Sequence, residues 1–129
     1  MPANPCGEAG AAAPPSYYAA RGIQSQVNPF QLVQDLSNFP RGGALDPQPK
    51  GASPAYGNYV YGVYLRAAGF PLSLALWGAN WYAGGGAGDG EAQYSGSPDL
   101  NYPNIPPANV ANITNGYNAE RNGTVCQGG

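Results

Sequence analysis

The sequence contains no histidine. That one absence removes histidine-based catalytic triads, imidazole metal sites and imidazole proton shuttles. Charge is scarce as well: Asp, Glu, Lys and Arg are 9% of the 129 residues, against roughly 25% in an ordinary soluble domain. Five cations face seven carboxylates, for a net charge of −2, which argues against a large electrostatic footprint on DNA or RNA. Two cysteines without histidine fall short of the usual zinc ligand set. The Gly-rich run Gly84 to Gly90 lacks the Lys-Ser/Thr of a phosphate loop. No metal and no cofactor is therefore expected. The amino terminus lacks the basic and apolar regions of a signal peptide, so delivery by another route or excision from a longer protein is expected.

What is present is glycine, proline and tyrosine. Gly (20) and Pro (14) make about a quarter of the chain. Such a share suits disorder, but 43% apolar and 12% aromatic residues do not. The length fits one domain. The expectation is a flexible lead over 1–15, a single domain over 16–121, and a tail over 122–129. Cys6 and Cys126 sit near opposite ends. Bridged, they close nearly the whole chain, worth about 4–5 kcal/mol in the chain-entropy picture, and point to an oxidising, extracytoplasmic space. Two unrelated free thiols are the alternative.

The elements read as helices. Ser16 to Val27 is a short helix weakened by Gly22. Asn28-Pro29-Phe30 is a helix start, with an Asn cap and Pro at the first helical position; Phe30, Val33 and Leu36 follow at helical spacing until Pro40. Ala44 to Ala55 is a proline-stiffened loop. Asn58 can cap a helix running to Ala68, with Gly69 supplying a left-handed end. Pro71 opens a second helix ending at Gly84, and the short Gly-Phe-Pro joint makes the two a helical hairpin packed at an angle. Ser95 to Pro107 is irregular, and Ala108 to Tyr117 is a last short helix or strand. The fold class is thus mainly α with long Gly/Pro-rich loops, a small single domain built around a central helical hairpin. Tyr59 to Ala83 is long enough to cross a bilayer. It is interrupted by Gly62, Gly69, Pro71, Gly78 and Asn80, and it carries Arg66 at a cost of about 2.5–3.5 kcal/mol in hydrocarbon. A buried hairpin with no stable membrane span is the better reading.

Three stretches carry a family resemblance: Gly57-Asn58-Tyr59-Val60-Tyr61-Gly62, Arg66-Ala67-Ala68-Gly69-Phe70, and Leu74 through Trp81. In this order they resemble the polymorphic toxin type 44 family, C-terminal toxin domains of bacterial secreted effectors. Asn28 to Asp46 looks like that family's preceding helix and Asp-containing loop, and a weaker echo runs from Pro98-Asp99 to Gly116-Tyr117. The Pro-rich loop after Asp46 and the Gly84–Gly90 insertion depart from the pattern. The resemblance implies secretion into a rival cell and a cognate immunity protein as partner, and family members have been predicted to be ribonucleases.

The residues themselves favour a different polymer. Metal-free RNA cleavage without histidine needs Asp or Glu as base and Lys50, Arg66 or a Tyr as the other partner, and the cations are few and dispersed. Glycan hydrolysis needs a carboxylic acid of raised pKa, often a second carboxylate, and aromatic faces for sugar rings. Seven carboxylates, ten Tyr and two Trp suit it. A cell-wall hydrolase acting in the periplasm is therefore preferred over a ribonuclease, with DNA excluded as substrate. A non-enzymatic structural or interaction protein is the rival from another class. Asp46 and Asp99 are the candidate catalytic carboxylates, with Lys50 beside Asp46; each Asp reads equally as a turn residue next to proline. Asn58, Tyr59, Tyr61 and Arg66 are the candidate substrate-binding set. Asn58 is alternatively a helix cap, one of the two tyrosines is core, and Arg66 either pairs with Asp35 or Asp46 or reaches solvent along a buried stem. Trp77 and Trp81, four apart, read as core packing before sugar stacking. Asp89 and Glu91 read as solvated, and Glu120 as a surface pair with Arg121.

Overall fold

Proline sets where most of the helices begin. In the computed structural model, which describes residues 4–39, 42–83, 102 and 104–127, five α-helices run in the order α1 (Pro15–Ser25), α2 (Pro29–Asn38), α3 (Pro54–Ala67), α4 (Leu72–Ala83) and α5 (Pro107–Asn122). Helices α1, α2, α3 and α5 each start on a proline, whose fixed φ suits the first turn and whose missing N–H is not needed there. Side chains complete two of the starts. Asn28 Oδ1 accepts the Gln31 N–H at 3.2 Å, and Ser53 Oγ accepts the Tyr56 N–H at 3.1 Å. Two short 3₁₀ turns, Pro5–Glu8 and Gln48–Lys50, complete the regular structure. No strand occurs among the described residues.

The expected hairpin is present. Helix α3 ends at Gly69, which takes φ +92°, a left-handed conformation that glycine adopts without Cβ strain. The Pro71 carbonyl then accepts the N–H groups of Leu74 and Ala75 as α4 begins. Its first arm is the centre of the molecule. Tyr56, Tyr59, Val60, Val63 and Tyr64 are all buried, so α3 faces protein on nearly every side.

Far more of α3 lies against α5 than against α4. Two glycines make this possible. A Cβ on Gly62 would stand 2.1 Å from the Ile113 carbonyl oxygen, and one on Gly116 would stand 1.9 Å from that of Tyr59. Only hydrogen at both positions lets the backbones approach so closely, and backbone cannot step aside as a side chain can. Helix α1 covers another side of α3, and α2 folds back on α1.

Several boundaries differ from those read in the sequence. Helix α3 starts at Pro54, four residues ahead of Asn58, because Ser53 is the cap. Helix α5 extends through Asn122 instead of stopping near Tyr117. Residues 4–13 are not a free lead: Pro5 is buried, the Ser53 N–H donates to the Glu8 carbonyl at 3.0 Å, and the Ala11 N–H donates to the Lys50 carbonyl at 2.8 Å. The tail is held as well, since Cys6 and Cys126 form a disulfide with Cα atoms 5.7 Å apart. No described helix is long and apolar enough to cross a membrane.

Candidate functional site

The residues predicted to form one site are spread over the molecule and bonded for other purposes. Asp46 is buried in the loop after α2. Its Oδ2 accepts the Gly42 N–H at 2.9 Å and its Oδ1 accepts the Gln48 N–H at 3.1 Å. Both carboxylate oxygens therefore pin the loop, which fits the turn reading of Asp46. Lys50 closes the second 3₁₀ turn with an exposed side chain; its N–H donates to the Pro47 carbonyl and its carbonyl accepts from Ala11. Asp99 lies outside the described residues, as do Asp89, Glu91 and the Gly84–Gly90 run.

The substrate-binding candidates are equally dispersed. Asn58 donates through Nδ2 to the Pro54 carbonyl one turn earlier, at 3.0 Å. The Tyr61 hydroxyl donates to the Ala75 carbonyl at 2.9 Å, and burial pushes its pKa up, so it serves as a neutral tie between α3 and α4. Tyr59 is buried, and its hydroxyl oxygen accepts the Cys126 N–H at 3.1 Å. Arg66 pairs with neither Asp35 nor Asp46. It is exposed and lies over the Tyr117 ring, 5.8 Å from the centroid. Trp77 and Trp81 are not core: they are 57% and 50% exposed, because α4 turns Ala75 and Leu76 inward instead.

Asp35, which drew attention only as a possible partner for Arg66, is the most deeply buried carboxylate described, at 1% exposure. Arg21 donates to its Oδ1 through both Nε (3.1 Å) and Nη2. Its Oδ2 accepts from Tyr64 Oη at 2.9 Å and from Gln31 Nε2 at 3.2 Å. Burial holds the Tyr64 hydroxyl up at about 12, so it remains a donor at any working pH. Four donors converge on one carboxylate and lock α1, α2 and α3 together. The arrangement is structural, since no lone pair is left directed at a ligand.

A different carboxyl faces open space. Between α1 and the end of α5 runs an open groove of about 540 Å³, lined by Pro14, Ala19 and Ile23 on one side and by Glu120, Val125 and Cys126 on the other. Glu120 is the only ionisable side chain on its wall among the described residues. Burial pushes its pKa up, and the Arg66 guanidinium pulls it partly back. Among the described residues no donor is hydrogen-bonded to its carboxyl, and the neighbouring Arg121 reaches Asn122 instead. A half-buried carboxyl beside apolar walls, without donors to stabilise its anion, holds its proton more tightly than one in water and can pass it to a bound group. Of the predicted residues, Arg66 and Tyr59 come close to this site. Arg66 acts on Glu120 by charge, and Tyr59 holds Cys126 from beneath.

The sequence reads Glu120 as a surface pair with Arg121, beyond a helix ending at Tyr117; Arg121 instead reaches Asn122 and Glu120 lines the groove. The signal was present: Ile113, Gly116, Tyr117 and Glu120 fall on one helical face at spacings of three and four, and the first three are buried. In comparisons with known proteins, no family model, no curated protein and no solved structure matches this chain.

Proposed function

We propose that the chain is an antibacterial toxin domain of the secreted-effector kind, a hydrolase of a target-cell polymer whose preferred substrate is the glycan of the cell wall. The observation that carries the reading is Glu120, a carboxyl of raised pKa on the apolar wall of an open groove. Glycoside cleavage asks for such a group as the acid that protonates the leaving oxygen. In this role Glu120 replaces Asp46, whose oxygens are bound within the loop. Arg66 acts on it from the side, limiting how far its pKa rises.

Two further points support the reading. The resemblance to polymorphic toxin type 44 domains implies delivery into a rival cell and protection of the producer by an immunity protein. The Cys6–Cys126 bridge suits the oxidising periplasm, where the cell wall is exposed. RNA is less favoured as substrate. Arg21 is engaged with Asp35, Arg66 lies on Tyr117 and Arg121 reaches Asn122, so the described cations form no phosphate-binding cluster.

The test pairs compartment with chemistry. Expression in the periplasm arrests growth and cytoplasmic expression is tolerated. The purified chain clears sacculi and leaves total RNA intact, and Glu120→Gln removes the clearing. RNA degradation with intact sacculi reverses the substrate. Tolerance in both compartments, with neither polymer attacked, overturns the enzyme reading in favour of a structural or interaction module.

A further inference from the structure

We infer that the Cys6–Cys126 disulfide is a redox switch on the Glu120 groove: a thiol reductant that opens it releases the hook formed by residues 123–127 and removes one wall of the groove, while the helices stay assembled. The inference rests on the proposed function only for what the groove does, not for whether the hook moves.

The two ends of the bridge are anchored very differently. On the Cys6 side, residues 4–13 are stitched to the body without help from the disulfide. Glu8 accepts from Ser53, Lys50 accepts from Ala11, and the Ala13 carbonyl accepts from the buried Tyr56 hydroxyl. On the Cys126 side the hook is short. The Thr124 N–H bond to the Ala119 carbonyl, at 2.8 Å, is the local closure of the α5 end. Beyond it, one long-range hydrogen bond remains, from the Cys126 N–H to Tyr59 Oη at 3.1 Å. Cys126 also takes φ +64°, and it is the one described non-glycine residue in the left-handed region. A residue with a Cβ resists that conformation and stays there only when its surroundings compel it. The disulfide is the strongest such constraint, so its loss frees the hook first.

Cys126 is exposed, so a dithiol can reach the bridge. One reductant thiolate attacks a bridge sulfur and expels the other cysteine as a thiolate, leaving a mixed disulfide. The second reductant thiol then displaces the remaining cysteine. The dithiol supplies two electrons and ends as its own disulfide, and the chain ends with two thiols. With Val125 and Cys126 gone from the wall, the half-buried Glu120 becomes more exposed and part of the desolvation that raises its pKa is lost. The groove is therefore complete in an oxidising compartment and open in a reducing one, which keeps the domain quiet in the cytoplasm that makes it.

The experiment compares the oxidised chain, the same chain in dithiothreitol, and the double variant C6S/C126S. Three readouts are taken together: amide hydrogen exchange over residues 119–127, helical circular dichroism, and release of soluble fragments from sacculi. Reduction and the double variant are expected to speed exchange at Cys126 and Gln127 by about tenfold or more while α3 and α5 stay protected, and to lower fragment release by about tenfold or more. Unchanged exchange in the hook overturns the switch, and so does fragment release that is measurable and equal from oxidised and reduced chains. Collapse of the helical signal on reduction also overturns it, because the bridge is then a staple for the whole fold. Intact sacculi with the oxidised chain sink the proposed function instead, and the exchange data still decide whether the hook is released.

Discussion

Asp35 and Glu120 are both helical carboxylates, one buried and one half-buried, and the protein treats them in opposite ways. Asp35 is surrounded by four donors from α1, α2 and α3 and has no route to solvent. Glu120 borders an open groove, meets apolar neighbours, and has no bonded donor among the described residues. Burial by itself therefore says little about function. A buried carboxylate with every lone pair matched is part of the frame, whereas one that is desolvated and unmatched keeps its capacity to exchange a proton.

Removing Asp35 tests the first half of this contrast and has the largest expected effect. Asp35→Ala leaves the buried Tyr64 hydroxyl without its acceptor and Arg21 without its ion partner. The loss in urea unfolding is expected at about 3–5 kcal/mol, the range for breaking a buried pair, which is much of the stability of a small domain. Any protein that still folds keeps its specific activity. Loss of activity in a folded Asp35→Ala protein would break the comparison and move the site to α2. Glu120→Gln tests the other half. Fragment release from sacculi falls by about a hundredfold or more, while the unfolding midpoint at neutral pH changes little, because the desolvation of its carboxylate and the opposing Arg66 charge are lost together.

A smaller effect separates Asp46 from Glu120. Asp46→Ala gives up two hydrogen bonds to backbone N–H groups, at Gly42 and Gln48. The expected cost is about 1–3 kcal/mol in thermal or urea unfolding, with activity per folded molecule preserved. A catalytic Asp46 would instead lose its activity in protein that is still folded.

How far these roles were legible in the sequence depended on whether the deciding physics was local. The start of α2 was readable because Asn28 and Pro29 act on the next turn alone. The break between α3 and α4 was readable because Gly69 sits at a joint only glycine fits easily. The centrality of α5 was not, since Gly62 and Gly116 are 54 positions apart and only their packing shows that each faces the other helix's backbone. Trp77 and Trp81 show the same limit from the other side: their spacing fixes that they share a face, but tertiary contacts decide that Ala75 and Leu76 turn inward. Asp46 before Pro47 fits a turn or an acid equally well until its hydrogen bonds are seen. Glu120 read as a surface partner of Arg121 because the helix was read one and a half turns too short to place it on the buried face.

Arg66 supplies the finest test, because it changes Glu120 without touching the groove wall. Burial raises the pKa of Glu120 and the Arg66 charge opposes that rise, so Arg66→Gln lets it rise further. Activity that depends on protonated Glu120 then persists to higher pH, and the alkaline limb of the pH–rate profile moves upward. Stability moves by the same linkage. Because folding raises the Glu120 pKa, the folded chain holds that proton more tightly than the unfolded chain. The resulting stabilisation is full below the ordinary carboxylate pKa and is lost as pH rises through the folded value. Beyond the pH-independent loss of the Tyr117 contact, Arg66→Gln therefore costs slightly more stability at neutral pH than in strong acid. In a Glu120→Gln background the pH-dependent part of both shifts disappears, and only the pH-independent loss of the Arg66 contact with the Tyr117 ring remains. A limb that moves equally in both backgrounds would assign the pH dependence to another group and break the pairing of Arg66 with Glu120.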